Sequence, residues 1–175
     1  MKDRTTPQPS RTSAITTVTH VSISTELAYE PLIAAFEHSL GHWDPDLGKS
    51  LAQEAASWPK VEAAVAAIAE PFGLVLMAKI DQGRLTSLSG TVKRCALYLV
   101  GNPVIANRII EIDRRGSFYV PFRVAIHDRG NEAGSLISYD LPSSFLDALG
   151  RPELTEIGRS LDGKMERVVL GLLGR

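Results

Sequence analysis

Cysteine is nearly absent from this sequence of 175 residues, in which Cys95 is the only one. No disulfide can therefore form within the chain. Cys95 begins an apolar run that ends at Val100. Cysteine is among the most often buried residue types, and a catalytic thiol needs an accessible, electropositive setting. We therefore expect Cys95 to be a buried structural thiol and not a nucleophile.

Charge excess, long apolar runs and aromatic clusters are also lacking. The net charge is −1 and only 6% of the residues are aromatic, whereas nucleic-acid binding relies on a basic excess and on rings that stack with bases. No stretch reaches the roughly 18 apolar residues of a membrane span, and the N-terminal segment lacks the apolar core of a signal peptide. We expect a soluble, cytoplasmic protein that binds neither nucleic acid nor a membrane.

Motifs of catalysis and metal binding are missing as well. The sequence has no Gly-x-Ser-x-Gly nucleophile turn, no Walker-type phosphate loop and no Gly-x-Gly-x-x-Gly fingerprint. Among the four histidines, only His38 and His42 have the spacing of ligands on one helix face. Gly41 between them is typical of a helix end. We therefore expect no metal and no cofactor.

The pattern of apolar residues predicts one domain behind a flexible tail. Residues 1–17 are polar, as in a mobile terminus, and residues 18–175 form a single domain. Strands are predicted at 18–24, 74–80, 93–100, 120–128 and 135–141, and helices at 31–40, 42–59, 60–70, 103–115, 143–149 and 154–173. Because the strands do not alternate regularly with helices, this order favours an α+β fold with a largely antiparallel sheet of about five strands.

Two segments resemble a prokaryotic family catalogued as domain of unknown function 302. In the family pattern a strand ends in Cys/Gly-Asn-Pro before a helix, and a Leu-Pro-x-Arg-Val-like strand and a hairpin follow. Here these elements read Gly101-Asn102-Pro103 and Val120-Pro121-Phe122-Arg123-Val124. The resemblance covers residues 74–141, and more loosely the first strand and helix, while residues 42–72 form a helical segment atypical of the family. It implies a TBP-like fold, with a curved antiparallel sheet packed by helices on one face, and no particular activity.

Period-two alternation divides the last three predicted strands into an apolar face for the helices and a mixed face. The expected core contains Phe36, Leu97, Leu99, Ile109, Val124, Ile126 and Ile137, and the mixed face carries Arg94, Tyr98, Arg123, His127, Ser138 and Asp140. Asn102 is a further candidate for binding an anion, because it lies at a predicted helix start with free backbone N–H groups. The same position also suits an ordinary N-cap.

The last two predicted strands form a hairpin whose register the residue pattern suggests. If Asp128 faces Ser135, apolar residues meet apolar residues on one face. On the other face, Arg123 then lies opposite Asp140, so that two independent patterns agree on one register.

Three interpretations of the mixed face remain open: a solvated surface, a homodimer contact and a site for a small anionic ligand. Because no catalytic constellation is present, the leading hypothesis is a non-enzymatic binding or assembly module that uses this face for dimerisation or ligand capture. The alternative is an enzyme in which His127 and Asp140 perform acid–base chemistry and Arg123 binds an anionic substrate.

Overall fold

The computed structural model describes residues 10–130 and 132–174. Within them the chain forms six strands and seven α-helices: β1 (His20–Thr25), α1 (Tyr29–Ser39), β2 (Gly41–His42), α2 (Pro45–Gln53), α3 (Trp58–Ala69), β3 (Val75–Asp81), α4 (Gln82–Thr86), β4 (Cys95–Gly101), α5 (Pro103–Ile112), β5 (Phe122–Arg129), β6 (Glu132–Asp140), α6 (Pro142–Asp147) and α7 (Pro152–Leu172). Of the predicted N-terminal tail, residues 10–17 are exposed and irregular, and residues 1–9 lie outside the described residues.

The strands form one sheet in the order β1-β6-β5-β4-β3-β2. All neighbours are antiparallel except β2 and β3, which are parallel. The predicted α+β class with a largely antiparallel sheet is therefore confirmed. The sheet has six strands where about five were expected. The additional strand is β2, which is too short, at two residues, to show a strand pattern in the sequence. A side chain at Gly41 would overlap the carbonyl oxygen of Ile68, so glycine lets β2 lie against α3.

Proline and capping side chains mark the helix starts. The helices α2, α5, α6 and α7 begin with proline, where the missing N–H removes no intrahelical hydrogen bond. The side chain of Asn102 accepts hydrogen bonds from the backbone N–H groups of Val104, at 2.9 Å, and Ile105, at 3.2 Å. These bonds satisfy donors that the first turn of a helix leaves unpaired.

The hairpin of β5 and β6 has the register that the sequence predicts. It contains the pairs Val124–Tyr139, Ala125–Ser138, Ile126–Ile137 and Asp128–Ser135. The ladder ends at the first of these pairs, one residue short of the predicted pair of Arg123 and Asp140. Where the register of β5 and β6 shifts near the turn, Gly134 of β6 has a φ of 86°, which favours glycine, and a side chain there would overlap the carbonyl oxygen of Thr25 in β1.

The core lies between one face of the sheet and the helices α1, α5, α6 and α7. Five residues of the predicted core are buried there: Phe36, Ile109, Val124, Ile126 and Ile137. The prediction was wrong for Leu97 and Leu99, which are only half-buried. In β4 the buried side chains are instead Ala96, Tyr98 and Val100, so the two faces of this strand are exchanged relative to the prediction.

Candidate functional site

The sheet face that none of the described helices covers is called the open face. Its residues are His20, Ser22 and Ser24 of β1, Leu136, Ser138 and Asp140 of β6, Arg123, Ala125 and His127 of β5, Cys95, Leu97 and Leu99 of β4, and Ala78 and Ile80 of β3. The β1 and β6 half is mainly polar, whereas the β3 and β4 half is apolar. Cys95 belongs to this face and is half-buried, so the prediction of a fully buried thiol was wrong.

Tyr98 does not belong to the open face. Its ring is fully buried on the helix side, where it meets Phe36 edge to face with 5.0 Å between ring centroids. The Tyr98 hydroxyl donates a hydrogen bond of 2.7 Å to Oε1 of Glu37, and Lys79 donates one of 2.6 Å to the same oxygen. Tyr98 is therefore a core residue, and its prediction as a ligand-binding residue of the mixed face was wrong.

Arg94 lies away from Arg123 and Asp140, near the opposite end of β4 and β5. It precedes β4, and its guanidinium is 3.7 Å from the carboxylate of Asp128. With Asp128 and Tyr29 it lines a depression beside the start of α1. The exchange of the two faces of β4 places Arg94 on the helix side of the sheet and not on the open face. The prediction that Arg94 shares one site with Arg123 was therefore wrong.

The side chain of Asn102 caps the N-terminus of α5. Beside its two capping bonds, its amide nitrogen donates a hydrogen bond of 3.2 Å to the carbonyl oxygen of Gly73. Both functional atoms of the side chain thus have protein partners, so of the two interpretations left open the N-cap is the one that the contacts support.

Arg123 and Asp140 come together at one end of the open face. Both line a depression of about 530 Å³ whose other walls include Phe118, Tyr119 and Phe145. Tyr119 stacks on Phe145 with ring centroids 5.3 Å apart and an interplanar angle of 10°. Among the ion pairs of the described residues, Asp140 contacts His20 and no carboxylate is paired with Arg123.

His127 lies on the open face but not near Asp140. It pairs with Leu136 and lies four positions along β5 from Arg123, which is at the Asp140 end. At about 3.3 Å per residue, this separation is about 13 Å, too far for direct proton transfer. The Nδ1 atom of His127 lies 2.8 Å from the carbonyl oxygen of Asp128 and can donate to it. The predicted acid–base pair of His127 and Asp140 is therefore wrong.

A different histidine contacts Asp140. The register of β1 and β6 places His20 opposite Asp140, and Nδ1 of His20 lies 2.8 Å from Oδ1 of Asp140. Nε2 of the same ring lies 3.1 Å from the hydroxyl of Ser22, which is 3.0 Å from the hydroxyl of Ser138. The sequence shows the alternation of His20 and Ser22, but it does not show that β1 pairs with β6.

Two further site types have no candidate in the described residues. Between residues 10 and 174, apart from residue 131, no three His, Cys, Asp or Glu side chains are grouped so that they could hold a metal ion. No helix of the described chain combines the length and the apolar character that crossing a membrane requires.

The comparisons with known proteins identify the family. The chain matches the model of the family described as domain of unknown function DUF302 over residues 50–171, and it therefore belongs to this family. Its fold is similar to the crystal structure of an uncharacterized conserved DUF302 protein from Bacillus stearothermophilus. The TM-score is 0.60 and the identity 15%, over 88% of this chain and 97% of the other. No curated protein matches the chain.

Proposed function

We propose that the protein is a non-enzymatic binding module that captures a small anionic ligand at Arg123. The observation that carries this proposal is the exposed guanidinium of Arg123, which has no carboxylate partner among the described residues and lines a depression of about 530 Å³. Arginine presents several N–H donors in a planar fork that matches a carboxylate, a sulfonate or a phosphate. Its neighbour Asp140 is engaged by His20, which leaves the guanidinium available.

Aromatic rings make the walls of the depression flat and apolar. Phe118 is 85% exposed, and its ring meets Tyr119 edge to face at 5.2 Å between centroids. Tyr119 is stacked on Phe145. An exposed phenylalanine beside an unpaired arginine favours a ligand that has an aromatic or apolar part next to its anionic group.

The test is a titration with 1-anilinonaphthalene-8-sulfonate, which combines a sulfonate with aromatic rings. Saturable binding to the wild-type protein is expected, and Arg123→Ala is expected to weaken it by about tenfold, because one charge-assisted hydrogen bond is lost. Folding of the variant is checked by circular dichroism and by its unfolding midpoint in urea.

Arg94→Ala is the matched control. It also removes an exposed arginine near the sheet, but at a depression that does not include Arg123. If Arg94→Ala and Arg123→Ala weaken binding equally, or if neither does, the site at Arg123 is contradicted.

The same module would assemble through the apolar half of the open face. Leu97, Leu99 and Ala125 are half-buried, and Ile80 is 49% exposed. An apolar patch of this kind on a sheet is typical of a protein interface. We therefore include a homodimer in the proposal, with a second copy of the chain as the partner.

A second candidate function is that of an enzyme with Ser22 as nucleophile. It is favoured by the hydrogen-bonded series Asp140–His20–Ser22, with its distances of 2.8 and 3.1 Å. If Nδ1 of His20 donates to Asp140, Nε2 can accept the proton of the Ser22 hydroxyl, as in the Ser-His-Asp arrangement that occurs in unrelated folds. Ser22 would attack an ester carbonyl and transfer its proton to His20, which returns it to the leaving alcohol. Water would then hydrolyse the acyl-enzyme.

Ester hydrolysis separates this candidate from simple binding. If Ser22 is the nucleophile, the wild-type protein should hydrolyse p-nitrophenyl acetate, and this activity should be lost in Ser22→Ala and in His20→Gln. Ser24→Ala is the control, because Ser24 is an exposed serine two residues along the same strand and on the same face. Hydrolysis that is absent from the wild-type protein, or equal in all variants, would exclude Ser22 as a nucleophile for this ester.

A further inference from the structure

Both tryptophans of the chain line a second cavity, separate from the Arg123 depression. Trp43 and Trp58 are the only tryptophans in the sequence. They lie, together with Val61 of α3 and Ile110 of α5, around a space of about 430 Å³ that reaches the ends of β4 and β5. This volume falls within the roughly 300–1,000 Å³ that small-molecule sites occupy. Among the described residues, Pro121 and Phe122 alone line both cavities.

None of the described residues that line this cavity has an ionisable side chain. The polar groups of these residues are the side chains of two asparagines and the indole N–H groups of the two tryptophans. Both functional atoms of Asn102 are used by the α5 cap and by Gly73. The amide nitrogen of Asn107 donates to Glu111 at 3.0 Å. A charged ligand would therefore lose its hydration without finding a partner of opposite charge, and the cavity suits a neutral molecule.

A β-bulge provides an independent indication of a site. The pairing of β3 with β4 shifts between Leu76 and Ala78, so Met77 is the extra residue of the strand. Met77 lines the cavity. Bulges often occur beside functional sites because they redirect a side chain, and a methionine thioether makes favourable contacts with aromatic rings.

The cavity is open to solvent at its aromatic side. Trp58 is 42% exposed although it lies at the first position of α3 against apolar neighbours. Filling the cavity would cover this indole surface, and removing apolar surface from water is favourable. The segments Gly101-Asn102-Pro103 and Val120-Pro121-Phe122, which carry the sequence resemblance to the family, form another wall.

We propose that this cavity binds a small, neutral, planar aromatic molecule between Trp43, Trp58 and Met77. The flat indole rings and the thioether provide the contact surface, and no described residue of the lining offers a charged side chain to pair with an ionic ligand. The site acts independently of the anion site at Arg123.

The experiment uses N-phenyl-1-naphthylamine, the uncharged counterpart of the sulfonate probe named above. Its own fluorescence is expected to rise saturably on binding. In the ¹H–¹⁵N NMR spectrum, the indole N–H signals of Trp43 and Trp58 should shift with the same Kd, because both rings contact the ligand. Trp43→Phe and Trp58→Phe assign the two signals. A probe that binds without moving either signal, or no saturable binding up to its solubility limit, would overturn the proposal.

A space-filling substitution tests the location. Ala106 of α5 lines the cavity, and Ala106→Phe is expected to raise the Kd of the neutral probe by about tenfold or more. The control is Ala66→Phe, at an exposed position of α3 outside the lining, which should leave the Kd unchanged. Equal Kd values in both variants would contradict the site. If Ala106→Phe does not fold, the NMR shifts of the wild-type protein remain decisive.

Arg123→Ala separates the two proposals. It should weaken the sulfonate probe and leave the Kd of the neutral probe unchanged, whereas Ala106→Phe should do the reverse. Loss of neutral-probe binding in Arg123→Ala would mean that both probes share one site and that the Trp cavity is not an independent one.

Discussion

Tyr98 and Glu37 join the centre of the sheet to α1. The buried hydroxyl of Tyr98 donates to Oε1 of Glu37 at 2.7 Å, and the ammonium of Lys79 donates to the same oxygen at 2.6 Å. Burial alone would raise the pKa of Glu37, but the hydrogen bonds from Lys79 and Tyr98 outweigh it and hold the pKa below its ordinary value of 4.5. Burial, and then the bond to Glu37, raise the pKa of Tyr98, so its hydroxyl remains a donor.

The lowered pKa of Glu37 predicts a pH-dependent contribution to stability. A carboxylate whose pKa is lower in the folded state stabilises the protein above its unfolded-state pKa, and this contribution is lost as the pH falls through the folded-state pKa. We expect Tyr98→Phe to lower the free energy of unfolding by about 1–3 kcal/mol near neutral pH, since a buried bond to a charged acceptor is removed. The difference should shrink from about pH 5 downward. Urea unfolding at several pH values measures it.

Glu37→Gln serves as the control for the charge. It keeps an oxygen that can accept the Tyr98 hydrogen bond but cannot titrate. Its stability should therefore approach that of the wild-type protein as the pH falls. A constant difference across the acidic range would show that Glu37 has an ordinary pKa.

The fold was largely predictable because its elements carry local signals. Pro103 and Pro142 follow buried strands and begin helices, and the alternation in β5 and β6 is strict: Val124 and Ile126 are buried, and Arg123 is exposed. Polar residues on one face and apolar residues on the other then fix the register. The two-residue strand β2 carries no such pattern.

The faces of β4 were not predictable by the same reasoning. From Cys95 to Val100 every side chain is apolar except for the hydroxyl of Tyr98, so the alternation has almost no polar contrast. The polar hydroxyl of Tyr98 led to the prediction that this side chain lies on the mixed face. Its actual partner, Glu37, lies on a helix far away in sequence and is not indicated by the strand itself. The pairing of β1 with β6, which brings His20 to Asp140, is likewise a long-range relationship that neither strand indicates alone.

The exchanged faces of β4 predict a contrast between a substitution in the core and one on the open face. Ile126 is fully buried, and Ile126→Ala should lower the free energy of unfolding by about 2–5 kcal/mol. Leu97 is half-buried on the open face, and Leu97→Ala in the monomer should cost less than about 1.5 kcal/mol. Chemical unfolding of both variants at low protein concentration gives the comparison. A larger loss for Leu97→Ala would mean that the open face is covered.

Asn102 predicts a cost for removing a helix cap. Its side chain accepts from Val104 and Ile105 and donates to Gly73. Asn102→Ala should therefore lower the free energy of unfolding by about 1–2 kcal/mol. Asn102→Ser keeps a capping oxygen and removes the amide that donates to Gly73, so it should cost less than Asn102→Ala. If Asn102→Ala leaves stability unchanged but weakens the sulfonate probe, Asn102 binds an anion after all.

The apolar half of the open face predicts a homodimer. Leu97 lies between Ile80 and Ala125 in the strand pairing, at the centre of this half. Multi-angle light scattering at about tens of micromolar should give twice the mass of the chain, as expected for a symmetric contact of one patch with itself. Leu97→Glu should give a monomer, because it places a charge in a contact that excludes water. Leu85→Glu should remain dimeric, because Leu85 lies in α4, outside the open face, and is 72% exposed.

The single cysteine gives a second measurement of the same contact. Cys95 lies beside Leu97 on the same face, so a bulky maleimide should react with it more slowly in the dimer than in Leu97→Glu. A monomeric wild-type protein, or equal labelling rates in the two proteins, would contradict dimerisation through this face.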